Sequence, residues 1–409
     1  MSNKLTCKVC GSNEIIQVLN MGDMPNANGL VSKEHLKEVR SYPLRYYWCS
    51  ICSFFQQINQ IPREKLFGDF YAYQTGASEP TVEHFRKFAE RTKKELDRRK
   101  FAVVCASNDG TEIEMLKENG GFSKVIGVEP ARNLADMANK KGLETINTFF
   151  SNEIGKEIVE KYGNADLVVA NNVFAHIPDP VDFLAGMKEV AGDKGRISIE
   201  VHWLVPFVNE VQIETLYGEH YYVWSVTAMK KIAEICGLVL LEVEVLEKQH
   251  GGSIRSTFAA DGEEGISVRK LLSVEDKAGI LKLESMKNLQ VKADQRKEKF
   301  AETVRRLRKE GKRVAIWTVP AKIATLLNFS GITSNDIECA YDITVGKIGK
   351  YIPKANIEIK DEKEIGTDMP DCLIVGAWNY MDFGRKKLEW YLKRGGMLMN
   401  PLTCEFIRD

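Results

Sequence analysis

The chain has 409 residues, with 57 Lys plus Arg against 57 Asp plus Glu, 44% apolar residues and 28% charged ones. That length predicts two or three domains, and the composition excludes disorder on a large scale. The even charge excludes a protein drawn by its net field to nucleic acid or to an anionic membrane. The opening residues and the apolar runs predict neither a signal peptide nor a membrane helix, hence a cytoplasmic protein.

Residues 1–68 carry two cysteine pairs, Cys7-Lys8-Val9-Cys10 and Cys49-Ser50-Ile51-Cys52, each followed by a small residue, Gly11 or Ser53. Four thiolates at this spacing close a tetrahedron around zinc and leave no open position, which predicts a structural site. A redox motif would explain one pair and not two. The gap of 38 residues between the pairs holds a turn-rich stretch from Gly22 to Gly29 and an aromatic strand around Tyr46-Tyr47-Trp48. So small a segment is not expected to build a core of its own. The other five cysteines, Cys105, Cys236, Cys339, Cys372 and Cys404, stand singly in apolar runs and read as core residues.

From Phe101 onward, short apolar strands (FAVVCAS, SKVIGVEP, ADLVVANNVFAHI, GRISIEVHW) alternate with helical stretches, which predicts a parallel sheet of βαβ units. A helix from about Met286 to Lys309 places Leu289, Ala293, Phe300, Val304 and Leu307 at helical spacing and reads as a bridge. Beyond Gly311 the alternation resumes in KRVAIWTVP, NDIECAYD, PDCLIVGAWNY and GGMLMNP. The predicted architecture is α/β, with a zinc-binding domain (1–68), a central Rossmann-like domain (69–285) and a carboxyl-terminal Rossmann-like domain (286–409).

The first strand of the central unit runs into Ser107-Asn108-Asp109-Gly110, and the next ends in Glu129-Pro130. In a doubly wound sheet this turn approaches a nucleoside, and the acidic residue at the end of the second strand receives the ribose hydroxyls. No dinucleotide GxGxxG is present, which favours S-adenosylmethionine over a nicotinamide cofactor, because a sulfonium donor brings no pyrophosphate to cradle. A third strand ends in Asn171-Asn172 and leads to His176, again at the crevice. Tyr217-Gly218-Glu219-His220-Tyr221-Tyr222 gathers titratable groups in a predicted loop. Histidine there suits removal of a proton from a carbon beside a carbonyl, with a tyrosine hydroxyl to stabilise the enolate. Two further stretches read as anion binders, His250-Gly251-Gly252-Ser253-Ile254-Arg255 and Lys322 at a helix start after Val319-Pro320, with Lys347 in a glycine-flanked turn as a second positive charge.

These motifs, with Tyr71-Ala72-Tyr73 before Gly76 and Ser78, and Ala377-Trp378-Asn379-Tyr380 near the end, resemble the three-domain sugar C-methyltransferases that methylate C3 of a dTDP-linked 4-keto-6-deoxy sugar. The resemblance runs nearly end to end. It implies S-adenosylmethionine bound by the central domain, a nucleotide sugar as substrate, and a monomer. It makes His220 the base, with Glu219 and Tyr217 beside it, Tyr71 or Tyr73 holding the sugar or its enolate, and His176 near the substrate. Asn379 and Tyr380 join Ser253, Arg255, Lys322 and Lys347 as substrate contacts. The chain departs from the family at Val104 and Ala106, where an acidic residue and a glycine are usual, and at Ile316 to Val319, where a glycine-rich turn is usual. The rival readings are an O- or N-methyltransferase, a binding protein of degenerate chemistry, and a nicotinamide oxidoreductase.

Overall fold

The computed structural model describes residues 5–67, 71, 73–247, 249 and 251–409. Ala72, His250 and the expected 68/69 boundary lie outside the described residues.

In the amino-terminal lobe, strand Ile15–Pro25 pairs antiparallel with Ser41–Cys49, and that strand pairs with Phe55–Gln57. A fourth strand, Tyr222–Val223, arrives from the central unit and pairs with Phe55–Gln57. The lobe thus closes its sheet with borrowed chain, and its core is borrowed too. Tyr46, Trp48, Phe54 and Phe55 pack in one continuous apolar cluster with Phe174, Phe207 and Trp224, the Phe54 and Trp224 rings 4.5 Å apart. A segment too short to bury enough surface by itself obtains the remainder from its neighbour.

The central sheet has the order Val239–Leu246, Ser253–Ala259, Arg196–His202, Leu167–Asn171, Phe101–Cys105, Lys124–Val128, Thr145–Ile146. The last five are parallel, and Ser253–Ala259 runs antiparallel to both of its neighbours, Val239–Leu246 and Arg196–His202. Phe101–Cys105 and Leu167–Asn171 are apolar along their length because helices cover both faces. The parallel arrangement expected from the alternation therefore holds for five strands. Ser253–Ala259 extends the sheet where the sequence suggested an open anion-binding turn.

Helix Leu283–Lys309 serves two cores. Met286, Leu289 and Ala293 pack into the catalytic cluster, and Phe300, Val304 and Leu307 pack into the carboxyl-terminal one. Midway along it, Arg296 reaches back to pair with Glu214 at 2.9 Å. The carboxyl-terminal sheet has the order Tyr351–Ile352, Ile357–Asp361, Ala340–Asp342, Val314–Trp317, Cys372–Val375, Met397–Met399, Phe406–Ile407, antiparallel only at its two outer pairings. Of the five single cysteines, Cys105, Cys339 and Cys372 are buried, but Cys236 and Cys404 are only half-buried, at the edges of their cores. Among the described residues no helix is long and apolar enough to cross a membrane.

Candidate active site and metal centre

The two CxxC pairs fold as matching knuckles. Gly11 N donates to Cys7 O at 3.0 Å and Ser53 N to Cys49 O at 2.9 Å, and both Gly11 and Ser53 take positive φ. The four sulfurs lie within 4.8 Å of one another, with Cys7–Cys52 and Cys10–Cys49 each at 3.6 Å. A zinc–sulfur bond of about 2.3 Å sets tetrahedral sulfur–sulfur edges of roughly 3.8 Å, whereas a disulfide would draw two sulfurs to about 2.05 Å. The quartet fits zinc, and all four positions are taken by protein.

The turn after Phe101–Cys105 is held in left-handed backbone at Ala106 (φ 56°), Asn108 (φ 53°) and Gly110 (φ 86°). Ala106 thus adopts the conformation a glycine would prefer, at a cost of about 1 kcal/mol. Glu129 accepts Asn108 N and Ala131 N, both at 2.8 Å, while burial pushes its carboxyl up to about 7. Asn171 donates to buried Glu112 at 2.6 Å, and burial pushes that carboxyl up to about 8. Ser107 Oγ and Asn171 Oδ1 are buried at these strand ends without a hydrogen-bond partner among the described residues. Unmet polar atoms at the carboxyl ends of parallel strands suit a polar nucleoside ligand. Above the turn, Gly76 N donates to Asp109 and Thr75 N to Asn108, both at 2.9 Å. A side chain at Gly76 would stand 2.8 Å from Thr111 Oγ1, so the segment lies directly on the turn. These residues fit S-adenosylmethionine.

The second half of the site meets the first through Tyr71. Its backbone N and O bond the Asn133 side chain, both at 3.0 Å, on the helix that follows Glu129-Pro130. Its hydroxyl donates to Glu219 at 2.9 Å. Glu219 also receives both oxygens' worth of hydrogen bonding from Asn28 Nδ2, at 2.9 and 3.0 Å, a residue of the amino-terminal lobe. Burial nonetheless pushes the Glu219 carboxyl up to about 7.

His220 Nδ1 lies 2.6 Å from Thr215 O, which can only accept, so this nitrogen carries the hydrogen. Nε2 then accepts from the Tyr217 hydroxyl at 2.7 Å, with the two rings 3.9 Å apart. His176 and His202 flank His220 with ring centroids at 4.8 and 5.0 Å. Burial pushes the His176 imidazole down to about 4, so it is neutral at pH 7.

The expected substrate residues divide into two groups. Lys322 Nζ donates to Asn379 at 3.3 Å and sits 4.9 Å from the centre of the Trp378 ring, with Tyr380 in the same short turn. Burial pushes Lys322 down to about 8. Lys347 Nζ donates to Val319 O at 2.9 Å and pairs with Asp342 at 3.1 Å, near the start of the helix that carries Lys322. Ser253 and Arg255 lie inside a strand instead. Ser253 donates to Gln249 O, and the Arg255 guanidinium is committed to Glu200 and Glu244 at 2.6 and 3.1 Å, which removes it from the role of an open anion contact. Tyr73 O accepts from Asn108 at 3.2 Å, which puts its backbone on the cofactor turn. Asn28, His202, Thr215 and Glu200 were not singled out by sequence. Glu200 and His202, polar residues in the apolar strand GRISIEVHW, carried a chemical signal; Asn28 and Thr215 carried none.

A stability test arises from Glu219. Its carboxyl titrates near 4.5 in an unfolded chain and near 7 here, so the folded state holds the proton more tightly. The associated stability is present below pH 4.5 and is lost as pH rises through 7. Glu219→Gln removes this dependence. Urea unfolding at pH 5 and pH 8 should show the variant losing less stability over that interval than wild type, by up to about 3 kcal/mol. An identical loss in both proteins would contradict it.

Residues 7–67 match the family model described as "Putative zinc binding domain", residues 105–243 that described as "Methyltransferase domain", and residues 248–403 that described as "C-methyltransferase C-terminal domain". C-methyltransferase NovU of Streptomyces niveus is 30% identical over 402 residues, covering 97% of this chain and 95% of that protein. Among solved structures, an S-adenosylmethionine-dependent methyltransferase from Clostridium acetobutylicum is 10% identical at a TM-score of 0.36, covering 44% of this chain and 92% of that one. A SAM-dependent methyltransferase from Anabaena variabilis is 13% identical at a TM-score of 0.35, covering 42% of this chain and 82% of that one. The protein is a methyltransferase with S-adenosylmethionine and zinc as its cofactors. The chain belongs to the three-domain S-adenosylmethionine-dependent C-methyltransferase family.

Proposed function

We propose that the enzyme methylates the carbon beside the ketone of a nucleotide-linked 4-keto-deoxysugar, the nucleotide being dTDP. The working domain map is a zinc lobe (1–68), a methyltransferase domain (69–285) and a carboxyl-terminal domain (286–409) that grips the nucleotide. The observation that carries the reading is Tyr71, whose backbone is bound to the helix after Glu129 and whose hydroxyl is bound to Glu219. It joins the cofactor crevice to a loop equipped for proton transfer.

A ketone acidifies the neighbouring carbon, and its proton passes to the Tyr217–His220 pair, coming to rest on His220 Nε2. The Nδ1–H bond to Thr215 O then stabilises the imidazolium. The electron pair moves onto the carbonyl oxygen. Neutral His176 is a donor for that oxygen, since an imidazole that holds no extra proton can give a hydrogen bond without giving the proton away. Tyr71 and Tyr73 border the sugar. Bound S-adenosylmethionine supplies the electrophilic methyl group. Ser107 to Gly110, Glu129, Pro130, Asn171 and Asn172 would hold it, and Lys322, Lys347, Asn379 and Tyr380 would anchor the nucleotide remotely, so that binding energy fixes the approach. Cys7, Cys10, Cys49 and Cys52 would hold zinc, which would keep folded the lobe that delivers Asn28.

Incubating the zinc-loaded enzyme in deuterium oxide with the 4-keto sugar nucleotide and no methyl donor tests this reading. The expected result is deuterium at the carbon beside the ketone, seen by proton NMR. An O- or N-methyltransferase needs no carbon acid and would leave that hydrogen in place.

A further inference from the structure

Glu200, near the end of strand Arg196–His202, is fully buried and takes no part in the proton transfer. Its carboxylate accepts from Arg255 Nη2 at 2.6 Å, His84 Nε2 at 2.8 Å and Asn172 Nδ2 at 3.2 Å, while its backbone oxygen accepts Asn172 N at 2.9 Å. Three elements converge on one carboxylate. Arg255, with its guanidinium 4.4 Å from the Phe88 ring centre, sets a positive charge against this buried carboxylate.

Counter-charge alone would account for Arg255, but not for Asn172. That residue holds φ at 57°, a backbone region that costs an ordinary L-residue about 1 kcal/mol. Glu200 holds it at two points, through the main chain and the side chain. Asn172 begins the loop that leads to His176, at the carboxyl end of the sheet. His84 lies on helix Glu79–Glu95, which starts directly after the Thr75–Ser78 segment that rests on Asn108 and Asp109. The two segments bordering the cofactor crevice are therefore tied to a single buried group.

We propose that Glu200 is a positioning residue for the methyl donor: it fixes Asn172 directly and the Thr75–Ser78 segment through His84, so that the crevice is formed before S-adenosylmethionine arrives. The inference concerns cofactor binding, and it rests on the sugar reading only where turnover is measured.

The test is a double-mutant cycle on the full zinc-loaded chain, with Glu200→Gln, Asn172→Gly and the pair titrated with S-adenosylmethionine by calorimetry. Glutamine keeps the size but offers one acceptor where three donors meet. Glycine keeps the left-handed backbone and removes only the side chain, so that variant should fold even if Glu200→Gln does not; in that case the Kd of His84→Ala, which cuts the tie between Glu200 and helix Glu79–Glu95, decides, and a value within about twofold of wild type overturns the proposal. Each single change should raise Kd by about tenfold or more, and the pair should do no worse than the more severe single change. Losses that multiply, or a Kd for folded Asn172→Gly within about twofold of wild type, overturn the proposal. Since this titration needs no sugar, a failure of the deuterium experiment leaves its result intact.

Discussion

His220→Asn should reduce both deuterium exchange and methyl transfer by about a hundredfold to ten-thousandfold, the usual contribution of a positioned base. Asparagine can still meet Thr215 O, so the loop keeps its shape while the Nε2 acceptor facing Tyr217 is removed. The loss should fall on kcat rather than on S-adenosylmethionine affinity, because the Glu129 carboxylate is held by Asn108 N and Ala131 N rather than by this loop. Tyr217→Phe separates two routes. If the phenol passes the proton on, it should lose nearly as much as His220→Asn. If it only orients the imidazole, exchange should fall by about tenfold. A His220→Asn enzyme that exchanges deuterium at the wild-type rate would show that the base lies elsewhere.

Removing zinc should have the second largest effect, and it should reach the active site. The metal closes the knuckles of a lobe that completes its sheet with Tyr222–Val223, directly after the catalytic loop. From the same lobe Asn28 bonds Glu219, and the Tyr46 hydroxyl donates to His220 O at 2.6 Å. Structural zinc contributes about 10–16 kcal/mol in isolated zinc fingers. Even half of the lower figure predicts a fall in Tm of about 6 °C for a chain of this size. Chelation, or Cys49→Ser, should therefore lower Tm and abolish turnover together. Cobalt, which accepts the same four thiolates, should restore both. Full turnover in metal-free protein would mean that the lobe does not support the site.

The parts of this molecule that were legible in its sequence are those set by short-range chemistry. The cysteine quartet is one, since two CxxC knuckles have few uses other than a closed metal site. The buried strands Phe101–Cys105 and Leu167–Asn171 are another, because a sheet covered on both faces demands unbroken apolar runs. Partnership across the fold was not legible. Arg255 reads as an anion contact until the chain places Glu200 and Glu244 against it. Asn28 sits in an ordinary turn, and 191 residues separate it from the carboxylate it holds. The borrowed strand Tyr222–Val223 is two residues long, too short for any periodicity to reveal. At Ala106 and Thr318 the missing glycines suggested altered turns, yet both residues adopt positive φ, at 56° and 68°. Surrounding hydrogen bonds hold Thr318 there, its hydroxyl accepting from Ala377 N at 3.0 Å and its own N donating to Tyr341 O at 2.8 Å.

The measurement that bears most directly on the central claim is the fate of a labelled methyl group. Enzyme supplied with carbon-13 methyl S-adenosylmethionine and the 4-keto sugar nucleotide should yield a product whose labelled methyl is bonded to the carbon beside the ketone, seen as carbon–carbon connectivity in NMR. A label found on oxygen or nitrogen, or no labelled sugar from enzyme that binds both ligands, would contradict it.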